Sequence, residues 1–244
     1  MRRLKLNYIL VPIALFFGTQ LSWSQDLETV LNKCSESLQL GSRKNITALQ
    51  TEGYFIMRDT EAKIPFKFIQ SRPEKLRIET SVFGFKAIQT YDGVNAWLLS
   101  PTQGLEARKV SSKEMEFITL AAGLDGPFTL YPGEKYSMVY GGRDKYLDED
   151  VELVIYKAEN EKLKFYISIN DFRIPGIRYE YKKNGAWYSM EYRIREYQEF
   201  EGSIFPREIT GVVNGVEMVY LYVNKLKSLN SVDPDTFGKP TFSN

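Results

Sequence analysis

The sequence predicts a mainly β protein with a few helices: a single curved antiparallel sheet forming an open, incomplete β-barrel, with helices covering the concave side. Three observations carry that expectation. Segments of strict two-residue alternation recur along most of the chain, and tight-turn dipeptides separate them in order. No composition shift, internal repeat or low-complexity linker divides the chain into separate domains.

The elements can be justified in order from the N-terminus. Arg2, Arg3 and Lys5 precede an apolar run from Leu6 to Phe17, and Ser22 and Ser24 supply small residues in the polar stretch that follows. That is the pattern of an export signal. Cleavage is expected after Ser24, leaving residues 25–244 as one domain that works outside the cytoplasm. The apolar run is shorter than the about 20 residues a bilayer span needs, and residues 19–24 are too polar to extend it into an uncleaved anchor. A helix opened by Asp26 and reaching Leu40 then places Leu27, Val30, Leu31, Cys34 and Leu38 on one stripe. Cys34, the only cysteine, therefore reads as core packing. The residues before it, Leu31-Asn32-Lys33, are not the small residues a lipid-attachment site requires, so no lipid anchor is expected. With no disulfide possible within the chain, the fold must rest on its core.

After a polar link around Gly41 to Lys44, strands follow one another. Ile64, Phe66 and Phe68 share one face opposite Lys63 and Lys67, and Leu76, Ile78, Thr80 and Val82 oppose Arg77 and Glu79. Leu163, Phe165, Ile167 and Ile169 alternate with polar neighbours, as do Tyr188, Met190, Tyr192 and Ile194. Asp92-Gly93, Asn184-Gly185 and Asn214-Gly215 supply the positive φ angles of tight hairpins. Ten or eleven strands in one meander are expected. One helix interrupts them: Ser111-Ser112-Lys113-Glu114 has the form of a capping box, and Met115, Phe117, Ile118, Leu120, Ala121 and Leu124 make the next segment broadly apolar. It reads equally as an ordinary core helix or as a movable lid over the concave face.

Composition excludes several chemistries. There is no histidine, which removes Ser-His-Asp and Cys-His nucleophilic sites and zinc sites built on imidazole. No phosphate-binding loop, dinucleotide fingerprint or nucleophile elbow occurs. Loss of residues 1–24 removes three positive charges from a formal +1, leaving neither sign dominant and no basic stripe for nucleic acid. Asp144 and Asp148-Glu149-Asp150 could in principle hydrolyse a glycoside or hold calcium. Their spacing fits no calcium loop, and a solvated strand connection is the simpler reading. No catalytic residue, metal or cofactor is expected, and the chain is not expected to be an enzyme. Alternation also carries Ile64, Phe66, Phe68 and Gln70 on to Arg72, which puts a guanidinium either among phenylalanines or, just before Pro73, already out of the strand in water.

Ser71-Arg72-Pro73-Glu74-Lys75-Leu76-Arg77, followed by Gln89-Thr90-Tyr91-Asp92-Gly93-Val94-Asn95-Ala96-Trp97 and Ser100-Pro101, resembles the LolA-like periplasmic carriers of outer-membrane lipoproteins. Asn230, Val232-Asp233, Phe237 and Pro240 are similar to the closing signature of that family. The likeness runs from the first helix to the C-terminus and is thinnest between Gly126 and Ser203, where Lys157 to Tyr197 forms tyrosine-rich hairpins of its own. The resemblance implies an open barrel whose helices, here Asp26 to Leu40 and Ser112 to Leu124, close an apolar cavity for acyl chains. It implies that Arg72 binds backbone groups of the lid as a latch. The implied cavity residues are Phe55, Ile64, Phe66, Phe68, Leu76, Ile78, Trp97, Met115 and Ile118. A soluble periplasmic chaperone, monomeric, would take lipoprotein acyl chains or another lipid from an inner-membrane donor and pass them to an outer-membrane acceptor. The alternative on the same fold is a lipid-binding or lipoprotein-sensing module that is not a transporter.

Overall fold

A computed structural model describes residues 19–82, 84–111, 115, 124 and 137–242. Thirteen strands form one sheet: β1 (Ala48–Met57), β2 (Lys63–Ser71), β3 (Lys75–Val82), β4 (Phe85–Tyr91), β5 (Ala96–Leu99), β6 (Arg108–Val110), β7 (Ser137–Tyr146), β8 (Glu149–Ala158), β9 (Glu161–Ser168), β10 (Gly176–Lys183), β11 (Ala186–Phe200), β12 (Ser203–Val213) and β13 (Val216–Leu229). Every pairing is antiparallel, and the spatial order is β6-β5-β4-β3-β2-β1-β13-β12-β11-β10-β9-β8-β7. The meander thus closes on itself between its first and last strands, Ala48 facing Leu229 and Met57 facing Val219. It stays open between β6 and β7, the two edges, which are neighbours in sequence. The sheet is the expected unclosed antiparallel one, with more strands than the ten or eleven expected. β6, at three residues, is too short to display a period of two and adds to the count.

The helix α1 (Thr19–Ser37) begins upstream of Asp26. Residues 19–25 contain neither Gly nor Pro, so nothing forces the helix to wait for a capping residue, and Ser24, where cleavage is expected, falls inside it. The apolar run at Leu6 to Phe17 lies outside the described residues. Leu27, Val30, Leu31, Cys34 and Leu38 pack as one stripe against Val154, Tyr156, Leu163, Phe165, Ile177 and Tyr179 of β8–β10. Cys34 is fully buried there, and burial pushes its thiol pKa far up. The helix ends at Ser37, Gln39 takes a left-handed conformation, and a 3-10 turn (Leu40–Asn45) leads into β1. Of the second expected helix, only Met115, which is helical, and Leu124 are described. The capping box residues Ser112 and Glu114, and Phe117, Ile118, Leu120 and Ala121, lie outside the described residues.

Both faces of the sheet are used. Alternation sends Phe66, Phe68, Ile78, Ile177 and Tyr192 to the concave face, beside α1. On the convex face, the C-terminal segment crosses β3–β5. The Thr90 hydroxyl donates to Gly238 O at 2.8 Å, Arg77 donates to Thr236 O at 3.1 Å, and Phe242 packs on Ile88, Leu99 and Ala107. Two glycines permit close approach. At Gly53, where β1 bulges against β13, a Cβ would collide with the Tyr222 carbonyl. At Gly176 it would collide with the Tyr146 ring, which stacks on Tyr166 and reaches Glu191 with its hydroxyl at 2.9 Å.

Candidate functional site: an apolar cavity and the arginines at its floor

The concave face encloses a cavity of about 380 Å³, within the roughly 300–1,000 Å³ usual for ligand pockets. Its wall starts with β1 and with two of the strands that the sequence marks most clearly, β2 and β3. Phe55 and Met57 come from β1, Phe66 and Phe68 from β2, and Ile78 from β3, with the Phe66 and Phe68 rings 4.5 Å apart. The other side comes from the C-terminal strands: Tyr192 and Ile194 of β11, Phe205 and Ile209 of β12, and Met218, Leu221, Val223 and Leu226 of β13. Leu38 and Arg43 close one end, together with Tyr197, whose hydroxyl donates to Ile174 O at 2.8 Å. A few polar side chains, Thr51, Gln70, Thr80 and Gln89, interrupt an otherwise apolar lining.

The candidate residues divide by position. Phe55, Phe66, Phe68 and Ile78 are brought together on the wall. Leu76 and Met115 belong to a buried cluster beside it with Ile78, Tyr91 and Ala96. Ile64 is half-buried towards the outer end of β2 and is not part of the wall. Trp97 faces the opposite way: it pairs with Thr90, whose hydroxyl serves the C-terminal segment, and Lys239 Nζ stands 5.6 Å from its ring centroid. The reason is register, since Ala96 and not Trp97 shares the face of Leu76 and Tyr91. Ile118 lies outside the described residues. Asp92 is a turn residue: its carboxylate accepts the amides of Val94 and Asn95 at 2.8 and 2.7 Å. Burial alone would raise its pKa, but those amides outweigh it and hold it below the usual value.

Arg72 has left the strand but has not gone to water. Its guanidinium donates to the carbonyl of Arg43 at 2.9 Å and to that of Ile46, so it grips the segment that joins α1 to β1. Sequence reasoning missed the second half of this arrangement. Arg43 is buried against the far wall, donating from Nε to Ser203 Oγ at 2.9 Å and from its other end to Ile204 O, with its guanidinium 4.1 Å from the Phe205 ring centroid. Ser203 Oγ and the Ile204 amide each reach back to Leu38 O at 3.1 Å. The turn at Leu40–Asn45 is therefore tied to the end of β2 by one arginine and to the start of β12 by another, across the floor of the cavity. Hydrogen bonds with a charged partner contribute about 1.5–3 kcal/mol each, enough to hold such a segment and few enough to break. Nothing in Gly41-Ser42-Arg43-Lys44 marks Arg43 as buried, because its partners are more than half the chain away.

The arrangement can hold something apolar, and the described residues contain no grouping of acidic, cysteine or histidine side chains suited to a metal. Asp148 sits with Leu147 in the tight turn between β7 and β8, both at positive φ, and Lys145 pairs with Asp150 at 2.9 Å, as in a solvated strand connection. Among the described residues no helix is long and apolar enough to cross a membrane.

No family model and no curated protein matches the sequence. Solved structures do match the fold. A domain described as that of an outer membrane lipoprotein-sorting protein, from Vibrio parahaemolyticus, aligns with a TM-score of 0.54 at 12% identity over 86% of this chain and 97% of its own. A DUF1329 family protein from Desulfovibrio piger aligns at 0.54 and 10% identity over 85% and 96%. A LolA superfamily protein from Nitrosomonas europaea aligns at 0.53 and 12% identity over 84% and 97%. At such identities the likeness speaks for the fold: this chain has a LolA-like fold.

Proposed function

We propose that this protein is an exported carrier that shelters the acyl chains of lipoproteins in its concave cavity, between an inner-membrane donor and an outer-membrane acceptor. The observation that carries the proposal is an apolar cavity floored by a segment held through Arg72 to the carbonyls of Arg43 and Ile46. Acyl chains gain about 0.8 kcal/mol per buried methylene, so an apolar hollow in water is a natural host. An empty one, left open, would promote association. A latch made of a few hydrogen bonds meets both demands, because incoming lipid can displace it and its re-formation favours release. Export, cleavage after Ser24 and a monomeric carrier belong to the same proposal.

The test is Arg72→Leu. The variant should fold and take up acyl chains nearly as the wild type does, yet hand them over poorly, because the empty closed state has lost its latch. Transfer of a purified lipoprotein from the carrier to acceptor-containing membranes measures this, and transfer at the wild-type rate would remove Arg72 from the mechanism. Should Arg72→Leu unfold, Arg72→Lys, which keeps the charge without the two-pronged geometry, separates latch from scaffold.

A second reading is favoured by the cavity size. At about 380 Å³ the hollow is near the low end of ligand pockets, which suits a single chain better than a triacylated anchor and fits a lipid-binding or sensing module. Mass spectrometry of ligand copurified from the native envelope decides: acylated protein or peptide supports the carrier, and free lipid supports the module.

A further inference from the structure

In an antiparallel meander, alternate connections fall at the same end of the sheet. The turns β1–β2, β3–β4, β8–β9, β10–β11 and β12–β13 and the loop β5–β6 lie at one end; Arg72, Arg43 and the floor lie at the other. Exposed apolar surface is distributed very unequally between the two. Ten large apolar side chains are more than a third exposed among the described residues. Only Val94 and Leu147 are at the floor end, and the remaining eight are at the tip end. Met57 and Met218, 38% and 37% exposed, also belong to the cavity wall, so the hollow reaches the surface where this apolar rim is.

The rim is amphipathic. On the β10–β11 hairpin, Trp187 is 51% exposed and Tyr188 36% exposed, flanking a tip that carries exposed Lys182 and Lys183. No acidic residue occurs between Glu180 and Glu191, and Lys162 Nζ stands 5.3 Å from the Trp187 ring centroid. The β12–β13 hairpin adds Val213 and Val216, both more than 40% exposed. On the β1–β2 turn, Asp59 and Glu61 balance Arg58 and Lys63, and on the adjoining β8–β9 turn Glu159 and Glu161 balance Lys157 and Lys162, so the β10–β11 tip, with Lys182 and Lys183, keeps a net positive charge. Indole and phenol rings beside lysines, with aliphatic residues between, match the chemistry of a bilayer interface, where rings and aliphatic groups enter the headgroup layer and lysines meet anionic headgroups.

We infer that the hairpin tips at the mouth of the cavity form a docking surface for an anionic lipid bilayer, led by Trp187, Tyr188, Lys182 and Lys183. The inference takes from the carrier reading only that the cavity holds lipid, and gives the mouth a surface from which lipid can enter without crossing water. The purified protein is sedimented with vesicles of phosphatidylethanolamine and phosphatidylglycerol and, separately, of phosphatidylcholine alone, while a fluorescent fatty acid reports the cavity. Wild type should pellet with the anionic vesicles, less so as salt rises. Trp187→Ser combined with Val216→Ser should weaken vesicle binding about tenfold with fatty-acid uptake unchanged, since neither residue lines the cavity. Lys182→Glu with Lys183→Glu should abolish the preference for anionic vesicles. A wild type that ignores anionic vesicles, or tip variants that bind them as wild type does, overturns the docking surface and leaves the cavity reading standing. Vesicle binding without fatty-acid uptake does the reverse.

Discussion

Glu191 is almost fully buried on the convex face, where it accepts from Arg193 Nε at 2.7 Å, Arg178 Nε at 2.5 Å and the Tyr146 hydroxyl at 2.9 Å. Burial would raise its pKa, but these donors outweigh burial and hold it below the usual glutamate value. A carboxylate whose folded pKa is depressed stabilises the fold fully above its unfolded pKa, and that contribution is lost as pH falls through the folded value. The wild type should therefore lose stability below about pH 4.5 more steeply than Glu191→Gln, as urea midpoints measured across the acid range would show. At neutral pH, Glu191→Ala should cost about 3 kcal/mol, because two guanidinium groups lose their shared partner. Arg193 keeps Glu217 at 2.8 Å, so most of the loss should come from Arg178 and Tyr146.

Among the elements, the strands with clean alternation were the legible ones. β2, β3, β9 and β11 fall where Ile64, Leu76, Leu163 and Tyr188 place them, because a half-buried strand writes its environment into every second residue. β8 is harder to read: Val151, Leu153 and Val154 are all buried, as residues on both of its faces are covered. The sequence does not mark the start of α1, since residues 19–25 hold neither Gly nor Pro to stop the helix earlier, and it does not mark Arg43, since burial of a loop residue is decided by distant partners. Gly176 is another position whose reason is distant. It lets the Tyr146 ring lie against β10 on its way to Glu191, so Gly176→Ala should displace that ring and destabilise the protein by about 2 kcal/mol. Thermal denaturation measures the loss, and a wild-type melting temperature would mean that the ring has room to move.

For the molecule as a whole, the two faces divide the work. The concave face keeps space, and the convex face carries most of the ion pairs and the C-terminal cover. Phe237, 2% exposed in the short turn Pro234–Phe237, anchors that cover, and Asp233 caps the turn by accepting the Asp235 amide at 3.0 Å. Phe237→Ala should cost about 3–4 kcal/mol without altering fatty-acid uptake. Equilibrium unfolding together with a binding titration checks both halves, and a loss of uptake at full stability would make the cover part of the binding apparatus.

The seam where β1 meets β13 sets a schedule for the growing chain. Ala48–Met57 leaves the ribosome early and must wait, one edge unsatisfied, until Val216–Leu229 arrives. Such an edge is an invitation to pair with a stranger, and closing so long a span is slow. Whatever escorts the unfinished polypeptide has its most dangerous task during that interval, and truncations that lose the last strand should collect in inclusion bodies and not as smaller folded barrels.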